Sequence, residues 1–186
     1  MEKELNNALK ILKEGSLLLY PTDTVWGVGC DATAAQAIQK IYRLKKRQES
    51  KALICLVSDF EMLQNYVQTI PKNLKEILDQ QTKPTTVIYT HPKGVAKNLV
   101  ASDDTLAIRI CKNTFCQALI RALGKPIVST SANISGEATP KNFSQISSKI
   151  KGGVDYVVNL QRETRSSEPS KIIKIEGDGS IKTIRE

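Results

Sequence analysis

Three polar clusters and one arginine carry the residues best able to do chemistry. Pro21-Thr-Asp-Thr-Val-Trp-Gly-Val-Gly29 sets two hydroxyls, a carboxylate and two glycines in one run. Such a loop can bring its backbone close to a small polar ligand, although the same residue types also build ordinary turns. Arg43-Leu-Lys-Lys-Arg47, with Lys51 just beyond, is the densest basic patch. Lys45, Arg47 and Lys51 could clamp phosphates, arginine as a bidentate fork and lysine as a point charge. A solvated helix end would read the same way, because cations there gain ~0.3–1 kcal/mol from the helix dipole. Ser129-Thr-Ser-Ala-Asn-Ile-Ser-Gly136 offers four hydroxyls and an amide, either for an anion or as a serine-rich capping turn. Arg109 stands inside Leu106-Ala-Ile-Arg-Ile110. A guanidinium among apolar neighbours is costly unless paired, so Arg109 is an ion-pair member or an anion ligand.

Other chemistries lack their residues. Gly-x-x-x-x-Gly-Lys-Ser/Thr and Gly-x-Ser-x-Gly are both absent, which removes the NTPase phosphate loop and the nucleophile elbow. Cys30, Cys55, Cys111 and Cys116 form no Cys-x-x-Cys pair, and His91 is the lone histidine, so no metal framework is expected. The cysteines read as reduced and structural. Trp26 reads as a packing residue, and with aromatics at 5% a stacking groove for single strands is not expected. Lys and Arg number 27 against 19 Asp and Glu, a net charge of +8 that tilts towards a polyanionic partner or substrate.

The elements that must hold these residues alternate between helix and strand. Leu5, Ala8, Leu9 and Leu12 form a helical stripe closed by Gly15, and 16–20 reads as a buried strand. Thr33-Ala-Ala-Gln36 resembles a capping box opening a helix to about Arg47. Strands are expected at 52–57, 85–90, 105–110, 127–130, 154–160, 171–176 and 180–184. The last two would join through Gly177-Asp-Gly179. Ser58-Asp-Phe-Glu61 is expected to cap another short helix, and further helices are expected at 71–80, at 115–123 and, weakly, near 143–150. The polar stretch 161–169 is the best candidate for a mobile loop. This pattern predicts an α/β fold: one twisted mixed sheet with helices on its faces.

At 186 residues the chain fits a single domain spanning 1–186. Its longest apolar runs, 17–20 and 52–57, fall far short of the ~20 residues that a bilayer helix needs. Met1-Glu-Lys-Glu4 carries both charges with no apolar stretch behind it, so no secretory signal and no membrane partner are expected, and the location is read as cytoplasmic.

Taken in order along the chain, these motifs resemble the YrdC-like family, the threonylcarbamoyl-AMP synthases also called TsaC, in its short single-domain form. The likeness runs from about Leu5 to Arg185. It implies a twisted α/β fold with a concave, positively charged active face. It also implies condensation of L-threonine, bicarbonate and ATP to threonylcarbamoyl-AMP and pyrophosphate. Mg²⁺ would enter on the ATP, no tightly bound protein metal is implied, and a separate transferase would place the group on tRNA. By this resemblance Thr24, Arg109, Ser129 and Ser170 are threonine-binding positions. Lys45, Arg47, Lys51, Ser131, Asn133, Thr139 and Arg185 are nucleotide-binding, with Lys45 and Arg47 also stabilising charge in the reaction. No protein nucleophile is implied.

The chain departs from the family pattern at Gln48, Ala52, Leu56, Lys171 and Lys174, and shortens one segment to Thr82-Lys-Pro-Thr-Thr86. The competing reading is a non-catalytic module whose basic concave face holds double-stranded RNA or tRNA by its backbone. Net charge fits both readings. The hydroxyl loop and the apolar-flanked Arg109 separate them, because a backbone binder needs neither.

Overall fold

The computed structural model describes residues 1–48, 53–176 and 180–186. Strands β1 (Leu18–Tyr20), β2 (Gly27–Gly29), β3 (Ile54–Val57), β4 (Thr85–Thr90), β5 (Thr105–Ile110), β6 (Ile127–Ser131), β7 (Tyr156–Val157), β8 (Lys171–Ile175) and β9 (Ile181–Arg185) join one mixed sheet. Its order is β7-β1-β2-β6-β3-β5-β4-β8-β9. The β1/β7, β3/β5 and β4/β8 pairs are parallel and the rest antiparallel. The sheet with its flanking helices matches the expected fold class.

Side-chain alternation sends neighbouring residues to opposite faces. Leu18 and Tyr20 of β1, Leu56 of β3 and Ile127 of β6 pack under α1 (Glu2–Lys13) and α5 (Thr114–Leu123), against Ala8, Leu12, Phe115 and Leu119. Leu19, Cys55, Val57 and Val128 face the other way, onto Ala37, Ile38 and Ile41 of α2 (Ala35–Lys45). The first helix suits its dipole, with Glu2 and Glu4 in the first turn and Lys10 and Lys13 in the last. Smaller helices α3 (Phe60–Gln64), α4 (Leu74–Asp79) and α6 (Ser148–Gly152) complete the fold.

Several expectations change. Residues 27–29 read as loop but form β2, antiparallel to both β1 and β6. The gap there is narrow: a Cβ on Gly29 would strike the Val128 carbonyl oxygen, and one on Gly27 would lie 2.8 Å from the Ser129 hydroxyl. Glycine is therefore required by close approach rather than by turning. The capping box does not form. Ala34 is the N-cap of α2 without a side-chain bond, because the Thr33 hydroxyl donates to Asp31 at 2.7 Å instead. Asp59, not Ser58, caps α3. The strand expected over 154–160 is only Tyr156–Val157, and the weak helix near 143–150 divides into a 3-10 turn (Phe143–Gln145) and α6. The turn expected at 177–179 lies outside the described residues, but β8 and β9 do pair antiparallel.

Candidate functional site

Helices α1 and α5 cover only part of their sheet face, and a cavity opens where the same face continues across β3, β5, β4 and β8. Register carries the site residues onto it. Arg109 pairs with Leu56, and Ser129 with Ile54, two positions on from the buried Ile127. Ile54, Ala107, Ile88 and Ile172 floor a cavity of roughly 300 Å³, with β9 as its far wall.

Most of the expected residues meet there. Thr24, Arg109, Ser129 and Ser170 line the cavity, and so do Arg47, Ser131, Thr139 and Arg185. No carboxylate lines it among the described residues, and three arginines do. The local field therefore favours an anionic ligand. Burial and then the Arg109 charge pull the Arg185 guanidinium below its ordinary pKa, and burial does the same to Arg47.

Of its two alternatives, Arg109 is the ion-pair member, and it also lines the cavity. Its side chain is 4% exposed, and Nη2 donates to Asp23 Oδ1 at 2.8 Å and to Thr24 Oγ1 at 3.2 Å. Its Nε has no hydrogen-bond partner. Asp23 also accepts from the Lys112 backbone N–H at 3.0 Å and the Cys111 thiol at 3.3 Å. Sequence reading missed this pairing, since Asp23 lies 86 residues away and carries no local signal.

Lys45 sits differently from a solvated helix-end charge. It is 1% exposed, and its ammonium donates to the carbonyl oxygens of Ser131 and Asn133, the latter at 2.6 Å. Burial, then Arg47, lowers its pKa to about 8. Lys45 thus lies beneath the hydroxyl loop, fixing its course. Asn133 is turned into that loop too, donating through Nδ2 to the Glu137 carbonyl at 2.8 Å, and it does not line the cavity. Lys51 lies outside the described residues.

At the far wall, the Ser170 hydroxyl shares a 2.8 Å hydrogen bond with Thr86, and the Ser170 carbonyl accepts from Arg185 Nη2 at 2.7 Å and Nε at 3.0 Å. Of the departures from the family pattern, Lys171 reaches Glu186 at 3.4 Å and Lys174 reaches Glu176 at 3.9 Å. Neither lines the cavity, and Leu56 is buried core. Gln48 is exposed and Ala52 lies outside the described residues. The stretch 161–169 is tied to the site: Ser167 N donates to the Thr24 carbonyl and Ser166 N to the Lys141 carbonyl, both at 2.8 Å. All four cysteines are buried and free, and burial pushes the Cys30, Cys55 and Cys116 thiols up, away from thiolate chemistry. Among the described residues no group of His, Cys, Asp and Glu is placed to hold a metal, and no helix is long and apolar enough to cross a membrane.

Known proteins share this architecture. E. coli YciO superposes with a TM-score of 0.86 at 23% identity, covering 100% of this chain and 90% of its own. P. abyssi Sua5 complexed with L-threonine superposes at 0.82 with 25% identity, covering 94% of this chain and 51% of its own. Full-length HypF in a phosphate- and nucleotide-bound form superposes at 0.81 with 25% identity, covering 98% of this chain and 28% of its own. The chain thus spans about half the length of the Sua5 it matches. Residues 10–186 match the family model Sua5/YciO/YrdC, described as telomere recombination. With the match running almost from end to end, the chain belongs to the Sua5/YciO/YrdC family.

Proposed function

We propose that the cavity is the active site of an L-threonylcarbamoyladenylate synthase, which condenses L-threonine, bicarbonate and ATP to threonylcarbamoyl-AMP and pyrophosphate. One observation carries the reading: buried Arg109, with Ser129, Ser131, Ser170, Arg47 and Arg185, lines one cavity that has no lining carboxylate among the described residues. The reading is supported by relatives of this fold: a Sua5 complexed with L-threonine and a HypF in a phosphate- and nucleotide-bound form.

In this reading Arg109 takes the threonine carboxylate, with Thr24, Ser129 and Ser170 around the amino acid. The nucleotide lies along Arg47, Ser131, Thr139 and Arg185, with Lys51 as a further contact. Lys45 and Asn133 act from beneath by shaping the loop. Threonine amine adds to carbon dioxide derived from bicarbonate, losing a proton to give the carbamate. A carbamate oxygen then attacks the α-phosphorus, and the bond to the bridging oxygen breaks to release pyrophosphate. The protein supplies no nucleophile. It orients the carbamate in line with the α-phosphate and offsets the growing negative charge on the phosphoryl oxygens. Mg²⁺ arrives as part of the nucleotide substrate, held mainly by phosphate oxygens and water.

The product would pass to a separate tRNA threonylcarbamoyl transferase. A backbone-only RNA binder would place its cations outward and would have no use for a buried arginine beside paired hydroxyls. The deciding assay is pyrophosphate release from Mg-ATP by the pure protein, with L-threonine and bicarbonate supplied together or singly. Release only with both supports the synthase. Equal release without either co-substrate would overturn it.

A further inference from the structure

Hydrogen-bond directions in the loop after β1 fix which way a cavity hydroxyl can point. The Thr22 hydroxyl has one proton, and it donates that proton to the Val25 carbonyl at 2.8 Å. The same oxygen accepts the Thr24 backbone N–H at 3.1 Å. In its 3.0 Å contact with the Thr24 hydroxyl, Thr22 can therefore only accept, so Thr24 must donate. Thr24 Oγ1 in turn accepts from Arg109 Nη2 at 3.2 Å, the nitrogen that Asp23 holds at 2.8 Å. With its proton committed to Thr22 and one lone pair to Arg109, Thr24 has only a lone pair left for the cavity it lines.

We propose that Thr22 and Asp23, neither of which lines the cavity, are positioning residues that set the polarity of the amino-acid end of the site. Thr22 turns the Thr24 hydroxyl into a pure acceptor, and Asp23 fixes the arginine that completes the arrangement. The group recognised at Thr24 is a hydrogen-bond donor of the bound amino acid, either its ammonium or its side-chain hydroxyl. Its carboxylate, which can only accept, is left to Arg109. This inference rests on the synthase reading and extends it to residues outside the cavity wall.

The test is calorimetric titration of L-threonine, of L-2-aminobutyrate (the same skeleton without the hydroxyl) and of Mg-ATP into the wild-type protein, Thr22→Val, Thr22→Ser and Asp23→Asn. Thr22→Val keeps the shape but frees the Thr24 proton, and L-threonine affinity is expected to fall by about tenfold, the worth of one hydrogen bond at the strong end of the usual range. Mg-ATP affinity should hold within about twofold, well below the worth of one such bond. Thr22→Ser, which keeps the hydroxyl, should bind L-threonine like the wild type. Asp23→Asn should weaken L-threonine in the same direction. If the loss in Thr22→Val is confined to L-threonine, the donor is the side-chain hydroxyl; if L-2-aminobutyrate falls equally, it is the ammonium. Either pattern supports the inference. Unchanged L-threonine binding by Thr22→Val overturns it, and so does a Thr22→Ser variant as weak as Thr22→Val, which would assign the effect to packing. A parallel loss of Mg-ATP binding would mark a general loop collapse and overturn it as well. Absence of L-threonine binding by the wild type overturns the synthase reading and this inference together, whereas wild-type binding with an unaffected Thr22→Val overturns this inference alone.

Discussion

The Lys45 ammonium donates to the Asn133 carbonyl oxygen at 2.6 Å across 88 residues of sequence, pinning the hydroxyl loop to the end of α2. Removing it strips the Asn133 carbonyl of the lysine donor and leaves the Ser131 carbonyl with the Asn133 backbone N–H. Lys45→Met should therefore lower unfolding stability by ~1–3 kcal/mol, the cost of leaving a polar group away from water unsatisfied. It should also weaken nucleotide binding. Arg47→Ala should weaken the nucleotide with a much smaller loss of stability, since Arg47 is only half-buried and lines the cavity. Urea melts and Mg-ATP titrations on both variants separate the two roles. A Lys45→Met variant as stable as the wild type would return Lys45 to the status of an ordinary surface charge.

The same lysine has a pH signature. Its folded pKa is pulled down to about 8 by burial, whereas an unfolded lysine titrates near ~10.4. Between those values the unfolded chain holds the extra proton, so this group's contribution to stability rises with pH across that window. It is flat below about 8 and above ~10.4. The limiting slope is one proton, about 1.4 kcal/mol per pH unit. The stability difference between wild type and Lys45→Met should carry this rise. A difference independent of pH from 7 to 11 would show that the amine is not desolvated.

How much of this was legible beforehand depends on whether the signal was local. Arg109 announced itself, because a charge inside Leu-Ala-Ile-Arg-Ile is an anomaly on one strand. The hydroxyl loop did too, by composition. Lys45 looked like any cation closing a helix, since nothing local tells whether an ammonium turns inward or out. Asp23, the Ser170 to Thr86 contact and the Arg185 clamp are pairings across the sheet, invisible until register is known. Strand β2 was missed because Gly-Val-Gly has poor strand propensity, and its glycines answer a tertiary demand, the closeness of Tyr20 and Val128.

That demand gives a stability prediction. Gly29→Ala would set a methyl against the Val128 carbonyl, a backbone atom that cannot swing aside. It should cost at least ~2 kcal/mol, in the upper part of the range for overpacking. Gly27→Ala meets the Ser129 hydroxyl, a side chain that can rotate, so it should disturb L-threonine binding more than folding. Equal melting of the two variants would show that β2 yields more easily than its neighbours allow.

The last prediction concerns the buried ion pair. Arg109→Met keeps the aliphatic bulk but leaves the Asp23 side chain, 7% exposed, without its cation. Breaking such a pair from one side strands a charge and costs ~3–5 kcal/mol. Asp23 retains the Lys112 N–H and the Cys111 thiol, so the loss should sit near the lower end, about 3 kcal/mol. L-threonine affinity should fall at least tenfold, because a hydrogen bond to a charged group contributes ~1.5–3 kcal/mol. Combining Arg109→Met with Asp23→Asn removes the stranded charge and should restore a large part of the stability without restoring L-threonine binding. Urea melts of the two single variants and the double variant, with L-threonine titrations of each, separate folding from recognition. If the double variant regains L-threonine binding, the carboxylate is held elsewhere and Arg109 serves only to neutralise Asp23. If it is no more stable than Arg109→Met, the pair is not energetically coupled and the methionine acts through packing.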